Sequence, residues 1–411
     1  MTARLCLIAG VLGCLVLNHG FAQEDVATQL GRSLDSYPDQ PPPLEDYSEL
    51  AKEPFAKTPL TQEQAARCRG RLIDAFTRSL QAERAAEMEA GVIKLGKLEM
   101  PFTVKRFGDA PVGSRSMFIS MHGGGGAPRR VNDQQWKNQQ RLYQLEEGFY
   151  VVPRAPTDTW NLWHQAHVDK FFSRLIQNMV ALRGVDPDRV YVMGYSAGGD
   201  GVYQLAPRMA DRWAAAAMMA GHPNETSPLG LRNVPFALQV GELDTAYNRS
   251  KQAELWQERL AQLQSEDPAG YVHLVKIHAG KAHWMDRDDR LAIPWMAAKR
   301  RDPVPQKVVW VQDDVTHRQF YWLHSDEPIA RSQATVSITG QEITIDADQN
   351  VKSLSLLLDD RMLDLDKAII IRKGETAAEV MAQRTLGTML QSLLEKGDPE
   401  LCFSARVDVV D

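Results

Sequence analysis

Four stretches of this 411-residue chain carry residue types whose spacing suits acyl-group chemistry. The first is Gly194-Tyr195-Ser196-Ala197-Gly198-Gly199, after an apolar, β-branched run at 190–193 and before a helical stretch at 202–209. Strand, sharp turn, helix is the setting in which G-x-S-x-G exposes a serine hydroxyl as a nucleophile. Glycines two before and two after the serine let strand and helix pass closely, and a helix N-terminus favours developing negative charge. The second stretch is Gly280-Lys281-Ala282-His283-Trp284, which makes His283 the expected general base. His273 and His278 fall inside the preceding strand and read as structural, and His222 is the alternative base. The third is Val240-Gly241-Glu242-Leu243-Asp244, which sets Asp244 just past a strand to hold the imidazole tautomer, with Glu242 as the alternative carboxylate. Asp200 reads as a charge against a helix dipole. The fourth is His122-Gly123-Gly124-Gly125-Gly126. With the backbone N–H of Ala197, the amide of Gly124 or its neighbour Gly125 is expected to hold a developing oxyanion, because glycine lets an amide approach with no Cβ in the way.

The surrounding pattern supplies elements to position these groups. From residue 91 to 303, strands expected at 92–106, 116–121, 149–153, 190–193, 214–220, 234–240 and 271–278 alternate with helices, among them 168–183 and 253–263. That alternation predicts an α/β fold with a mainly parallel sheet, helices on both faces and ligands at the carboxyl ends of the strands. Residues 61–90 read as an amphipathic helix, opened by the capping-box pair Thr61 and Gln64 and striped by Ala65, Cys68, Leu72, Phe76 and Leu80. Residues 23–60, with Pro41-Pro42-Pro43, read as an extended linker. After Pro303 the grammar changes to short alternating strands with one helix expected at 377–394, a separate and mostly antiparallel C-terminal β domain over 304–411. The loop after the 149–153 strand carries Trp160 and Trp163, and Trp284 follows His283. These three, with Tyr195, are expected to line the substrate mouth.

A net charge of −6 offers no basic field, so nucleic acid is excluded as the expected partner. Hydrophobic content of 44% and charged content of 24% are those of an ordinary globular protein. Arg4, the short apolar run 5–17 and Gly20-Phe21-Ala22 read as a signal peptide over 1–22, which implies a secreted or periplasmic protein. The rival reading is a lipid anchor at Cys14, the one route by which a membrane becomes a partner. Cys68 and Cys402 are two distant cysteines without a pairing pattern and read as buried thiols, with a disulfide between them in an oxidising compartment as the alternative. His164 and His167 lack a third residue at metal spacing, so neither a metal nor any other cofactor is expected.

The serine turn, the His-Gly-rich loop, Asp244 and His283, in the chain order Ser, Asp, His, resemble the α/β-hydrolase superfamily. Within it the chain is most similar to the secreted polyhydroxybutyrate depolymerase, feruloyl esterase and acetylxylan esterase group and to related predicted peptidases, over roughly residues 91 to 300. The resemblance implies an α/β-hydrolase fold and cofactor-free hydrolysis of a carboxylic ester on a small molecule or polysaccharide. Aromatic faces at the mouth suit sugar rings and phenolic acyl groups better than long alkyl chains, hence short-acyl or hydroxycinnamoyl esters. A serine peptidase uses the same triad, and an inactive binding protein is the reading from another class.

Overall fold

The computed structural model describes residues 25–37 and 40–409, so the leader expected at 1–22 and Cys14 lie outside the described residues. The region from residue 91 to 303 is built on one sheet. Its strands are β1 (Val92–Leu95), β2 (Leu98–Phe107), β3 (Arg115–Met121), β4 (Gly148–Pro153), β5 (Val185–Tyr195), β6 (Ala215–Met219), β7 (Phe236–Gly241) and β8 (His273–His278). They lie in the order β1-β2-β4-β3-β5-β6-β7-β8. The first two pairings are antiparallel, and every pairing from β4 to β8 is parallel. Strands β4, β6 and β7 are buried at every position, as a sheet covered on both faces requires.

The period of two along β5 decides which core each side chain joins. Val190 and Val192 pack with Phe172, Val202 and Trp256, whereas Tyr191 and Met193 pack with Ala217 and Met296. The first face is covered by α5 (Ala166–Arg183), α6 (Ala197–Arg208) and α7 (Arg249–Glu266), the second by α4 (Arg129–Gln139) and α8 (Ala292–Ala297). All parallel strands therefore end at one edge, where the loops after β3, β4, β5, β7 and β8 meet.

Helix α3 (Gln62–Ala90) opens on the expected reciprocal cap. Thr61 Oγ1 accepts from the Gln64 N–H at 3.2 Å, and Gln64 Oε1 accepts from the Thr61 N–H at 2.9 Å. It closes on Gly91 at φ 64°. The residues before it are not a linker. They fold into α1 (Val26–Asp35), α2 (Asp46–Leu50) and a short turn at Pro54–Lys57. Val26, Leu30, Tyr47 and Ala56 are buried against α3 and a C-terminal helix. The proline run is pinned too, since Ser79 Oγ donates to the Pro42 carbonyl at 2.6 Å. Sparse apolar anchors outweigh the polar, proline-bearing composition once a surface exists for them to dock on.

The C-terminal segment adds two sheets. One is β16 (Thr376–Val380), β15 (Ile369–Lys373), β13 (Glu342–Ala347), β12 (Gln333–Thr339) and β9 (Lys307–Val311), in that order. The other is β10 (Gln319–Phe320), β11 (Leu323–His324), β14 (Leu354–Leu358) and β17 (Ala405–Val409). Within these two sheets, among the described residues, only β13 and β15 pair in parallel. The helix expected at 377–394 is wrong in its first half. Residues 376–380 turn back at Gly374 (φ 59°) and pair with β15, and α9 (Leu386–Lys396) starts only after its Thr385 cap. Strand pairing overrides the helical propensity of Ala377, Ala378 and Glu379. The segment is also not separate in packing. Val308, Trp322 and Leu356 belong to the same core as Val192 and Trp213, and α9 shares a second core with α3. Cys68 and Cys402 are free, buried thiols within that second core.

Candidate active site

Ser196 sits between β5 and α6 at φ 58°, ψ −121°, backbone space that L residues avoid. The glycines around it are required by contact. A Cβ at Gly194 would lie 2.2 Å from the Gly198 carbonyl oxygen, and one at Gly198 would lie 2.2 Å from that of Met121. Strand, turn and helix thus close on one another with no room for a side chain, and the serine is pushed out at the strand end.

The loops after β7 and β8 bring the two partners to it. His283 Nε2 lies 3.1 Å from Ser196 Oγ, and His283 Nδ1 lies 2.8 Å from Asp244 Oδ2. Ionised Asp244 only accepts, so Nδ1 carries the proton and Nε2 faces the serine hydroxyl as an acceptor. The two loops are locked together at their base, where a Cβ on Gly241 would meet the Ala282 carbonyl at 2.1 Å. Asp244 is buried, while the imidazole is 43% exposed and open to an incoming water. Behind the acid, buried Arg249 places Nη1 3.6 Å from Asp244 Oδ1. Glu242 stays outside this relay; it is exposed and accepts the Gly280 N–H at 2.7 Å. His222 is likewise apart, its imidazole turned to the Asn224 N–H at 2.9 Å, while its own N–H donates to Asp200 at 2.6 Å. Burial raises the pKa of Asp200.

The glycine loop after β3 differs in detail from expectation. The Gly125 N–H donates to Asn132 Oδ1 at 2.9 Å and is spent, so Gly125 is not an oxyanion donor. Gly123 lies nearest the nucleophile: a Cβ there would stand 3.1 Å from Ser196 Cβ and 3.7 Å from its Oγ. Among the described residues, the amides of Gly123, Gly124 and Ala197 have no acceptor within the chain. Gly123 is held by His122, whose Nε2 accepts the Ala155 N–H at 3.1 Å, leaving Nδ1–H to donate to the Gly123 carbonyl at 2.6 Å. Burial drives the His122 pKa down to about 4, so the ring is neutral and this tautomer persists.

The four aromatic residues divide. Trp160 is 67% exposed on the loop that rests on Gly126, and Trp284 is 49% exposed beside the base. Trp163 is wholly buried, donates to the His122 carbonyl at 2.9 Å and packs on Gly201, so it supports the oxyanion loop and does not line the mouth. Tyr195 is also buried, and its hydroxyl is committed to the His283 carbonyl at 2.6 Å. That bond fixes the base loop. Two exposed residues of the Asp244 loop, Leu243 and Tyr247, add apolar surface that motif reading passed over. The signal available in the sequence was only their adjacency to Asp244.

A cavity of about 1120 Å³ on the α4–α8 face, bounded by Arg141, Tyr143, Lys276 and Arg290, includes none of these residues. Among the described residues, no three His, Cys, Asp or Glu side chains are grouped to hold a metal ion. Nor is any helix long and apolar enough to cross a membrane.

The strand order, the strained serine turn and the Ser196–His283–Asp244 relay now stand together. The architecture is an α/β-hydrolase fold. No protein-family model matches the chain, and no curated protein matches it in sequence. Among solved structures it is similar to a thermostable esterase at 15% identity, over 51% of this chain and 62% of that one, with a TM-score of 0.41. It is similar to a ferulic acid esterase at 15% identity, over 50% of this chain and 96% of that one, with a TM-score of 0.36. A third is the S-formylglutathione hydrolase of Staphylococcus aureus, at 12% identity, over 50% and 96% of the two chains, with a TM-score of 0.32.

Proposed function

We propose that this chain is a serine hydrolase of carboxylic esters. The observation that carries the reading is the relay from Asp244 Oδ2 through His283 to Ser196 Oγ, at 2.8 and 3.1 Å, on a serine held at positive φ. His283 Nε2 takes the hydroxyl proton as Ser196 Oγ attacks the ester carbonyl. Asp244 stabilises the imidazolium that forms. The Ala197 amide, with that of Gly123 or Gly124, meets the oxyanion, each donor being worth about 3 kcal/mol in the transition state. His283 then protonates the departing alcohol. A water activated by the same nitrogen releases the acid and regenerates Ser196.

Exposed Trp160 and Trp284 offer flat faces at the rim. They support short-acyl or hydroxycinnamoyl esters of polysaccharide over long-chain lipids. The leader expected at 1–22 supports a site of action outside the cytoplasm. Labelling by a fluorophosphonate, lost in Ser196→Ala, tests the nucleophile and separates an enzyme from an inactive binding protein. A panel of aryl esters and peptide amides tests the leaving group: faster turnover of amides would replace the esterase reading with a peptidase one.

A further inference from the structure

We infer that Asn132 is the positioning residue that sets the oxyanion glycine loop and couples it to the loop carrying Trp160. The inference rests on the hydrolase reading above and deepens it. Asn132 lies in the first turn of α4 and is fully buried. A buried side-chain amide must satisfy its own donors and acceptor, and here they serve two loops, the glycine loop twice and the Asp158 loop once. Oδ1 accepts the Gly125 N–H at 2.9 Å. One Nδ2 hydrogen goes to the Ala127 carbonyl at 3.1 Å, which closes the glycine loop on itself. The other goes to Asp158 Oδ1 at 2.8 Å, two residues before Trp160.

The fit is close on both sides. A Cβ at Gly124 would stand 2.2 Å from Asn132 Oδ1, so the loop presses on the amide and glycine is needed there. Asp158 is itself fixed by Arg154, whose side chain is 5% exposed and also donates to Asp133 at 2.9 Å, next to Asn132 in α4. Arg154 and Asn132 together hold the Asp158 carboxyl below the ordinary carboxylate range despite its partial burial, so it stays an acceptor.

The peptide plane between Gly124 and Gly125 is thereby fixed by its Gly125 N–H, next to the Gly123–Gly124 plane that His122 holds through the Gly123 carbonyl; Gly123 lies beside Ser196, and among the described residues the Gly123 and Gly124 amides have no acceptor within the chain. Glycine peptides have no intrinsic preference that would hold this orientation. Without Asn132 the loop samples other peptide orientations, and the oxyanion donors are lost for part of the time. The cost falls on the transition state, which needs the donors, and not on ground-state binding.

The test compares full-length wild type, Asn132→Ala, Asn132→Asp and the swap Asn132→Asp/Asp158→Asn on p-nitrophenyl acetate. An aryl trifluoromethyl ketone, which forms an oxyanion with the serine, is the transition-state probe. Asn132→Ala should lower kcat about 10- to 100-fold and raise the ketone Ki in parallel, with KM changed less than about twofold. Asn132→Asp keeps the acceptor for Gly125 but sets two carboxylates together, and should behave like Asn132→Ala. The swap restores a donor amide facing an acceptor across the 132–158 contact, while the Ala127 carbonyl and Arg154 each lose a partner, so it should recover part of the lost kcat. Thermal melting identifies any variant that has merely unfolded, and in that case the swap carries the decision. A folded Asn132→Ala enzyme with wild-type kcat and ketone Ki overturns the inference, as does a folded swap that recovers nothing. Wild-type hydrolysis in Ser196→Ala would instead overturn the hydrolase reading, and this inference with it.

Discussion

Arg301 Nη1 donates to Asp398 Oδ2 at 2.7 Å, and this contact ties the end of the catalytic region to the segment after α9. Both side chains are buried. Arg301 also reaches Asp188 near the start of β5, through Nε at 2.9 Å. Lys396 Nζ pairs with buried Asp211 at 2.5 Å at the same junction. A buried cation that loses a partner keeps its desolvation cost. Asp398→Ala should therefore cost about 3–5 kcal/mol, read as a lowered urea midpoint. A chain ended after Arg301 should not fold stably, since it also exposes the apolar core shared with Trp322 and Leu356. A stable, monomeric truncated enzyme would refute this.

Asp244 and Glu242 stand two residues apart with opposite surroundings. Asp244→Asn should lower kcat about 10⁴-fold, because the amide favours the wrong imidazole tautomer. Glu242→Gln removes only the charge on a loop contact to Gly280 and should leave kcat within about threefold of wild type. Steady-state kinetics on an aryl acetate reads both, and a reversed order would move the acid to Glu242.

Trp160 and Trp163 should separate just as cleanly. Trp160→Ala should raise KM for aryl or sugar esters more than for ethyl acetate, with thermal stability unchanged. Trp163→Ala empties a fully buried site and should cost about 3–5 kcal/mol of stability. Equal KM effects of Trp160→Ala on both ester classes would remove Trp160 from substrate recognition.

Buried His122 predicts an acid sensitivity of known sign. Its folded pKa of about 4 lies below the ordinary histidine value of 6.5, so the unfolded chain binds more protons between those pH values. Stability should fall as pH drops from 6.5 toward 4, by up to about 3 kcal/mol from this residue. Chemical denaturation of wild type and His122→Gln across that window measures it. The variant, though less stable at neutral pH, should show the shallower pH slope; parallel slopes would assign the acid sensitivity elsewhere.

What the sequence by itself determined is what depends on a few neighbouring residues. Gly194 and Gly198 are dictated by contacts within the serine turn and the adjacent β3 end, so spacing alone makes Ser196 stand out. Thr61 and Gln64 satisfy each other three residues apart, which makes the start of α3 readable. Asp244 and His283 were legible because each follows a strand, and parallel strands deliver their following loops to one edge. Long-range packing decided the rest. Trp160 and Trp163 are the same residue type three positions apart, and only the space beside Gly201 and His122 sends one inward. Which glycine amide is free depends on Asn132, from the helix that follows the loop. Helices α1 and α2 and the Pro54–Lys57 turn fold because α3 and α9 offer them a surface, and α9 lies more than three hundred residues away in sequence. A side chain's burial is set by what the rest of the chain brings against it, and local pattern does not contain that information.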